Sequence, residues 1–157
     1  MKKLIILALL ASACQSDDVT NQETAAPRYI LFGHFYGECQ GEKCVEIYKL
    51  TEDALYENTN DKYPPADTPY EGNFELMSNS NFEKVRDLMN QVPNELLEIN
   101  SSVVGQPDAG DWGGVYFGME ENGEQRFWLI DKMDSNIPES IRPFVRKIED
   151  SIEAVGS

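Results

Sequence analysis

Apolar and polar positions mark out several short strands and two helices along this chain. Residues 29–36, Tyr-Ile-Leu-Phe-Gly-His-Phe-Tyr, are dense in strand formers, and residues 45–50 set Val45 and Ile47 against Glu46 and Lys49. The segment between them, residues 37–43, carries two glycines and three charges and reads as a hairpin loop, bounded by Cys39 and Cys44. Residues 54–58 predict a third short strand and residues 74–77 a fourth. The stretch 58–72 holds Pro64, Pro65 and Pro69 among Asn and Asp residues, which predicts an excursion loop, since a central strand cannot carry so many prolines.

Helical spacing takes over after that. Ser80 with Glu83 three residues on predicts a capping box, and Phe82, Val85, Leu88 and Met89 recur on one face until Pro93 stops the helix near Val92. Residues 94–99 add one further turn, and residues 104–114, with five glycines and prolines around Asp108, Asp111 and Trp112, read as loop. Residues 115–119 and 126–130 flank Asn122-Gly123, the strongest hairpin signal in the chain. Ile141, Phe144, Val145, Ile148 and Ile152 then form one stripe, with Pro138 suiting the first turn and Pro143 placing the regular start near itself. The pattern predicts an α+β domain over residues 28–157: an antiparallel sheet of about five to six strands with two helices packed on one face.

The first 27 residues follow other rules. A basic start (Lys2, Lys3), an unbroken apolar run over residues 4–10 and the small residues Ala11-Ser12-Ala13 before Cys14 read as an export signal. The apolar run is about half of the ~20 residues a membrane-spanning helix needs, so residues 1–13 are expected to be removed. Leu10-Ala11-Ser12-Ala13-Cys14 resembles a bacterial lipobox, whose cleavage leaves the cysteine as an acylated, palmitate-bearing N-terminus. It departs from the usual pattern in placing Leu10 one position early; the other reading is an ordinary secretory signal followed by a free thiol. Residues 14–27 are polar and acidic with Val19 as the one large apolar side chain, which predicts a flexible tether. Its r.m.s. span is about 20 Å by the coil relation.

Charge narrows the partners. The formal net charge is −15, and loss of Lys2 and Lys3 with the leader takes it to −17. No basic footprint for nucleic acid exists, and anionic lipid would repel the folded part. Such acidity keeps a surface domain soluble.

Candidate chemistry is sparse. His34 is the only histidine, and the chain has no Gly-x-Ser-x-Gly elbow and no Gly-rich phosphate loop, so templates for nucleophilic catalysis and nucleotide binding find no support and no cofactor is expected. His34, Cys39 and Cys44 could be metal ligands, but a fourth ligand at zinc spacing is missing and an exported domain favours a disulfide between the two cysteines. With Cys14 lipidated, Cys39 and Cys44 have only each other. Asp108 and Asp111 could hold a hard cation such as calcium or simply form a solvated turn. Trp112, Tyr116, Trp128, Tyr63 and Tyr70 raise the possibility of a recognition face, the alternative for each being core packing. Trp112 and Tyr116 with Asp108 and Asp111 form the candidate ligand face.

The small Cys-bounded loop after the first strand, the strand-turn-strand through Tyr48 and Tyr56, and the closing hairpin followed by an amphipathic helix with Pro138 together resemble a group of uncharacterised lipoproteins of Bacteroidota type. The acidic Ser16-Asp17-Asp18 after the lipid cysteine resembles the export signal of surface lipoproteins from those bacteria. The resemblance implies a fold and an address in the cell envelope, on the outer membrane, and no activity. Two function classes follow: a lipid-anchored binding or interaction module for an envelope protein or glycan, and an envelope hydrolase working through paired carboxylates.

Overall fold

A computed structural model of the chain describes residues 28–156. Cys14, the leader and the tether lie outside the described residues. Seven strands form one sheet: β1 (Tyr29–Phe35), β2 (Val45–Thr51), β3 (Leu55–Asn58), β4 (Phe74–Leu76), β5 (Val103–Val104), β6 (Gly114–Glu121) and β7 (Glu124–Asp131). Their spatial order is β4-β3-β2-β1-β6-β7-β5. The helices are α1 (Asn79–Val85), α2 (Asn94–Leu97) and α3 (Arg142–Val155).

The α+β class is as expected, but the sheet is larger and mixed. The extra strand, β5, straddles the start of the stretch expected to be loop, Val103 lying just before it and Val104 within it; it pairs parallel with β7, Val103 opposite Leu129 and Val104 opposite Ile130. A two-residue strand is too short to leave a periodic signal.

β1 is central, antiparallel to β2 on one side and to β6 on the other. The turn between its two cysteines closes as a disulfide with a Cα–Cα distance of 5.5 Å. This removes the metal-ligand reading of Cys39 and Cys44. At the other hairpin, Asn122 and Gly123 both take positive φ, the twist that a tight two-residue connection needs.

Alternation along β1 sends Ile30 and Phe32 into one core and Leu31 and Phe35 into another. The larger core adds Tyr48, Leu50, Phe117, Trp128 and Ile130 from the sheet and is closed by Val85, Leu96, Phe144, Val145, Ile148 and Ile152 of the three helices. Trp128 is therefore a core residue, and its indole N–H donates to the Ile99 carbonyl at 3.1 Å.

Two details of the first helix differ from expectation. Its cap is Ser78, whose hydroxyl accepts from the Asn81 amide, while Glu83 pairs with Arg86 at 3.1 Å instead of reaching back to Ser80. The helix also ends at Val85, and Leu88–Gln91 continue as a 3-10 turn that still points Leu88 and Met89 into the core. In the last helix Pro143 is the second residue of α3, after a 3-10 turn over Glu139–Ile141. That fits a residue without an N–H to donate.

The second face of the sheet is covered by the proline-rich excursion. Its ends are stitched together: the Asn58 carboxamide oxygen accepts from Asn73 N at 3.0 Å, and Thr59 N donates to the Asn73 carbonyl at 2.8 Å. Its tip reaches the far edge of the sheet, where Ser102, just before β5, donates to the Ala66 carbonyl at 2.8 Å. Tyr70 descends from the loop into the smaller core beside Val45, Ile47, Tyr116 and Leu129.

Candidate functional site

The four residues expected to make a ligand face do not converge. Tyr116 is fully buried, because the alternation of β6 turns it into the second core. Its hydroxyl accepts from the Tyr70 amide at 2.9 Å, and its ring lies along the strand over Gly118, where a Cβ would come within 3.2 Å of the phenol. Burial raises its pKa well above the ordinary tyrosine value.

Asp108 ties three segments. One carboxylate oxygen accepts from Gly113 N at 2.9 Å; the other accepts from Gly37 N at 2.7 Å and from the Tyr63 hydroxyl at 3.1 Å. Burial of the Tyr63 phenol and the adjacent Asp108 carboxylate push Tyr63 up to about 12. Asp108 and Asp111 both adopt the left-handed conformation, φ 61, which aspartate tolerates better than most residues. Among the described residues no cluster of three or more His, Cys, Asp or Glu side chains is placed to hold a metal ion.

Trp112 is 41% exposed and lies flat over Gly110, whose missing side chain leaves room for the indole. Its inner edge faces Asp131, a carboxylate with no solvent exposure. Burial alone would raise the Asp131 pKa, but it accepts from Met133 N and the Asn136 amide, both at 2.8 Å, and from Gln106 N at 2.9 Å. With the Trp112 indole, these donors hold it below the usual carboxylate value. The loop that carries Trp112 is thus built around two structural carboxylates.

A different set of residues does converge. The excursion and the sheet face beneath it enclose an open groove of about 860 Å³. Tyr29 and Leu31 of β1, Lys49 of β2, Phe74 of β4 and Gln125 of β7 line the sheet side; Lys62, Tyr63, Pro65, Pro69 and Tyr70 line the loop side. The Lys49 ammonium sits over the Tyr29 ring, 4.2 Å from its centre, and 5.9 Å from the centre of Phe74. Gln125 donates to the Tyr29 hydroxyl at 3.0 Å. Burial, with Asp61 nearby, raises Tyr70 to about 12; the Asn58 and Lys62 bonds to it offset part of this.

Tyr63 and Tyr70 belong to the aromatic set marked out in the sequence; Tyr29, Lys49, Phe74 and Gln125 do not. The alternation expected Lys49 opposite Val45 and Ile47, but its odd position puts it on their side of β2, and that parity is the signal that could have found it.

A smaller pocket of about 360 Å³ opens between the sheet and the end of α3, lined by His34, Lys43, Glu46, Lys132, Glu149 and Glu153 among others. His34 lies 3.0 Å from the Lys43 carbonyl and 3.6 Å from Glu46. Lys132 donates to the Tyr36 hydroxyl at 2.7 Å and pairs with Glu149 at 3.4 Å. His34 is accordingly a residue of the strand framework with a polar, ion-paired environment.

No protein-family profile, no curated protein and no solved structure matches the chain. Among the described residues no helix is long and apolar enough to cross a membrane.

Proposed function

We propose that this chain is a lipid-anchored binding module of the cell envelope, held to the outer membrane through acylated Cys14 and carrying its ligand site in the groove beneath the excursion. The observation that carries the reading is the groove itself. It is concave, its walls are aromatic and prolyl, and a few polar groups stand among them, which is the usual make-up of a recognition site. A loop of some fifteen residues that covers a sheet face instead of shortening to a turn fits a functional segment. The ligand is an envelope glycan or protein; the charge of −15 disfavours nucleic acid.

A hydrolase working through paired carboxylates would use the pocket at His34. There Glu149 already pairs with Lys132 at 3.4 Å, a cation of the fold, and Glu46 lies 3.6 Å from the His34 ring. The groove supports binding better than this pocket supports hydrolysis.

The test compares the chain with Cys14→Ala and with Phe74→Ala in a host envelope. Cys14→Ala should move the protein from the membrane fraction to the soluble one, and Phe74→Ala should abolish co-purification of envelope material while leaving the location unchanged. Unchanged partitioning of the first variant refutes the anchor; undiminished co-purification with the second refutes the groove.

A further inference from the structure

We propose that the groove takes a saccharide chain bearing carboxylates, with Lys49 and Lys62 as its anion-binding groups; this deepens, and rests on, the reading of the groove as a ligand site. The chain has 28 acidic residues against 13 basic ones, yet in the groove two lysines face one carboxylate, Glu71. Among the described residues neither lysine takes part in an ion pair, as holds also for Lys43, Lys84, Arg126, Arg142 and Lys147; what sets the two apart is that both line the groove. Asp61, Asp108 and Glu120 stand close behind Tyr70, Tyr63 and Tyr29, so the surroundings are mixed in charge, and it is the two lysine ammonium groups lining the groove itself that an anion would contact at short range. The acidic remainder of the surface repels polyanions and leaves the groove as the place where one can settle.

Lys49 is held before any ligand arrives. Its ammonium rests over Tyr29 and reaches toward Phe74, so much of the rotamer freedom lost on pairing with an anion is already gone. A carboxylate on a sugar ring would meet this ammonium above the aromatic floor, with Lys62 answering from the loop side. Sugar hydroxyls would find the Gln125 carboxamide and the Thr68 hydroxyl, which also line the groove. An acidic peptide fits less well. The strands at the middle of the floor, β1 and β2, have neighbours on both sides, so an extended peptide finds no free edge there to pair with.

The experiment is calorimetric titration of the whole chain with oligogalacturonate, with a neutral oligogalactoside of the same length, and with poly-L-glutamate. It is repeated for Lys49→Met, Lys62→Met, the double variant, Lys49→Arg and Phe74→Ala, each checked for native circular dichroism. The expected result is binding of oligogalacturonate, weakened at least tenfold by the double variant, largely kept by Lys49→Arg, and at least tenfold tighter than binding of the neutral sugar. Equal affinity for the neutral sugar, lost in Phe74→Ala, overturns the anionic proposal and leaves the groove reading standing. Preference for poly-L-glutamate overturns the saccharide in favour of an acidic protein partner. Absence of binding by all three probes overturns the proposal, and binding unaffected by any of these substitutions overturns the groove reading with it.

Discussion

Replacing Tyr116 by Phe removes one oxygen from the second core and nothing else. The ring keeps its packing against Tyr70, 5.7 Å between centres, and against Phe127 at 6.2 Å. What disappears is the acceptor for the Tyr70 amide, a hydrogen bond of 2.9 Å that ties the excursion to the sheet in a buried setting. Leaving a buried N–H without a partner costs about 1–3 kcal/mol. Tyr70 keeps its other anchors, Asn58 and Asn60 on its hydroxyl, so the loss should fall in the lower half of that range, about 1–2 kcal/mol. A change of that size alters an opening equilibrium roughly 5- to 30-fold. Urea unfolding should show the loss in the midpoint with an unchanged slope, and amide exchange at Tyr70 should accelerate by at least the same factor. A stability change under about 0.3 kcal/mol, with Tyr70 exchange unaltered, would show that the loop is held elsewhere and refute this assignment of Tyr116.

Asp131→Asn should cost about 2–3 kcal/mol in urea unfolding, because an amide cannot accept from all the donors that converge on the carboxylate. As the Asp131 pKa is depressed in the fold, its contribution is complete above the unfolded value near 3.9 and fades as pH falls through the folded value, so the variant should lose less stability than the parent in that acid range. Reduction of Cys39–Cys44, which are five positions apart, should lower stability by about 2 kcal/mol without unfolding the domain, and thiol titration before reduction should find neither cysteine reactive. Trp112→Ala should cost under about 1.5 kcal/mol, short of the ~3–5 of a buried large aromatic, since the indole is 41% exposed.

Legibility in the sequence tracked how local each signal was. The Cys39–Cys44 hairpin, the Asn122-Gly123 turn and the stripe of α3 are each set within a few residues of one another, and each stands where the pattern places it. The break after Val85 was hidden because Leu88 and Met89 continue the same apolar face through a 3-10 turn. The second core was hidden for a deeper reason. Periodicity shows that Tyr116 alternates away from Phe117, but a proline-rich loop carries no sign of which surface it will cover. Tyr116 therefore read as a surface aromatic when Tyr70, forty-six positions earlier, seals it in. The groove needed the same long-range knowledge: Gln125 and Tyr29 share a hydrogen bond across ninety-six positions.

Hydrogen–deuterium exchange of the whole chain, alone and with the envelope material that co-purifies with it, tests the groove most directly. Binding there should slow exchange over residues 29–31, 62–74 and at Lys49 and Gln125, leaving the loop around Trp112 and the pocket at His34 as they were. Slowing confined to residues 34–43 and 149–156, or to residues 105–113, with the groove unchanged, would contradict the assignment.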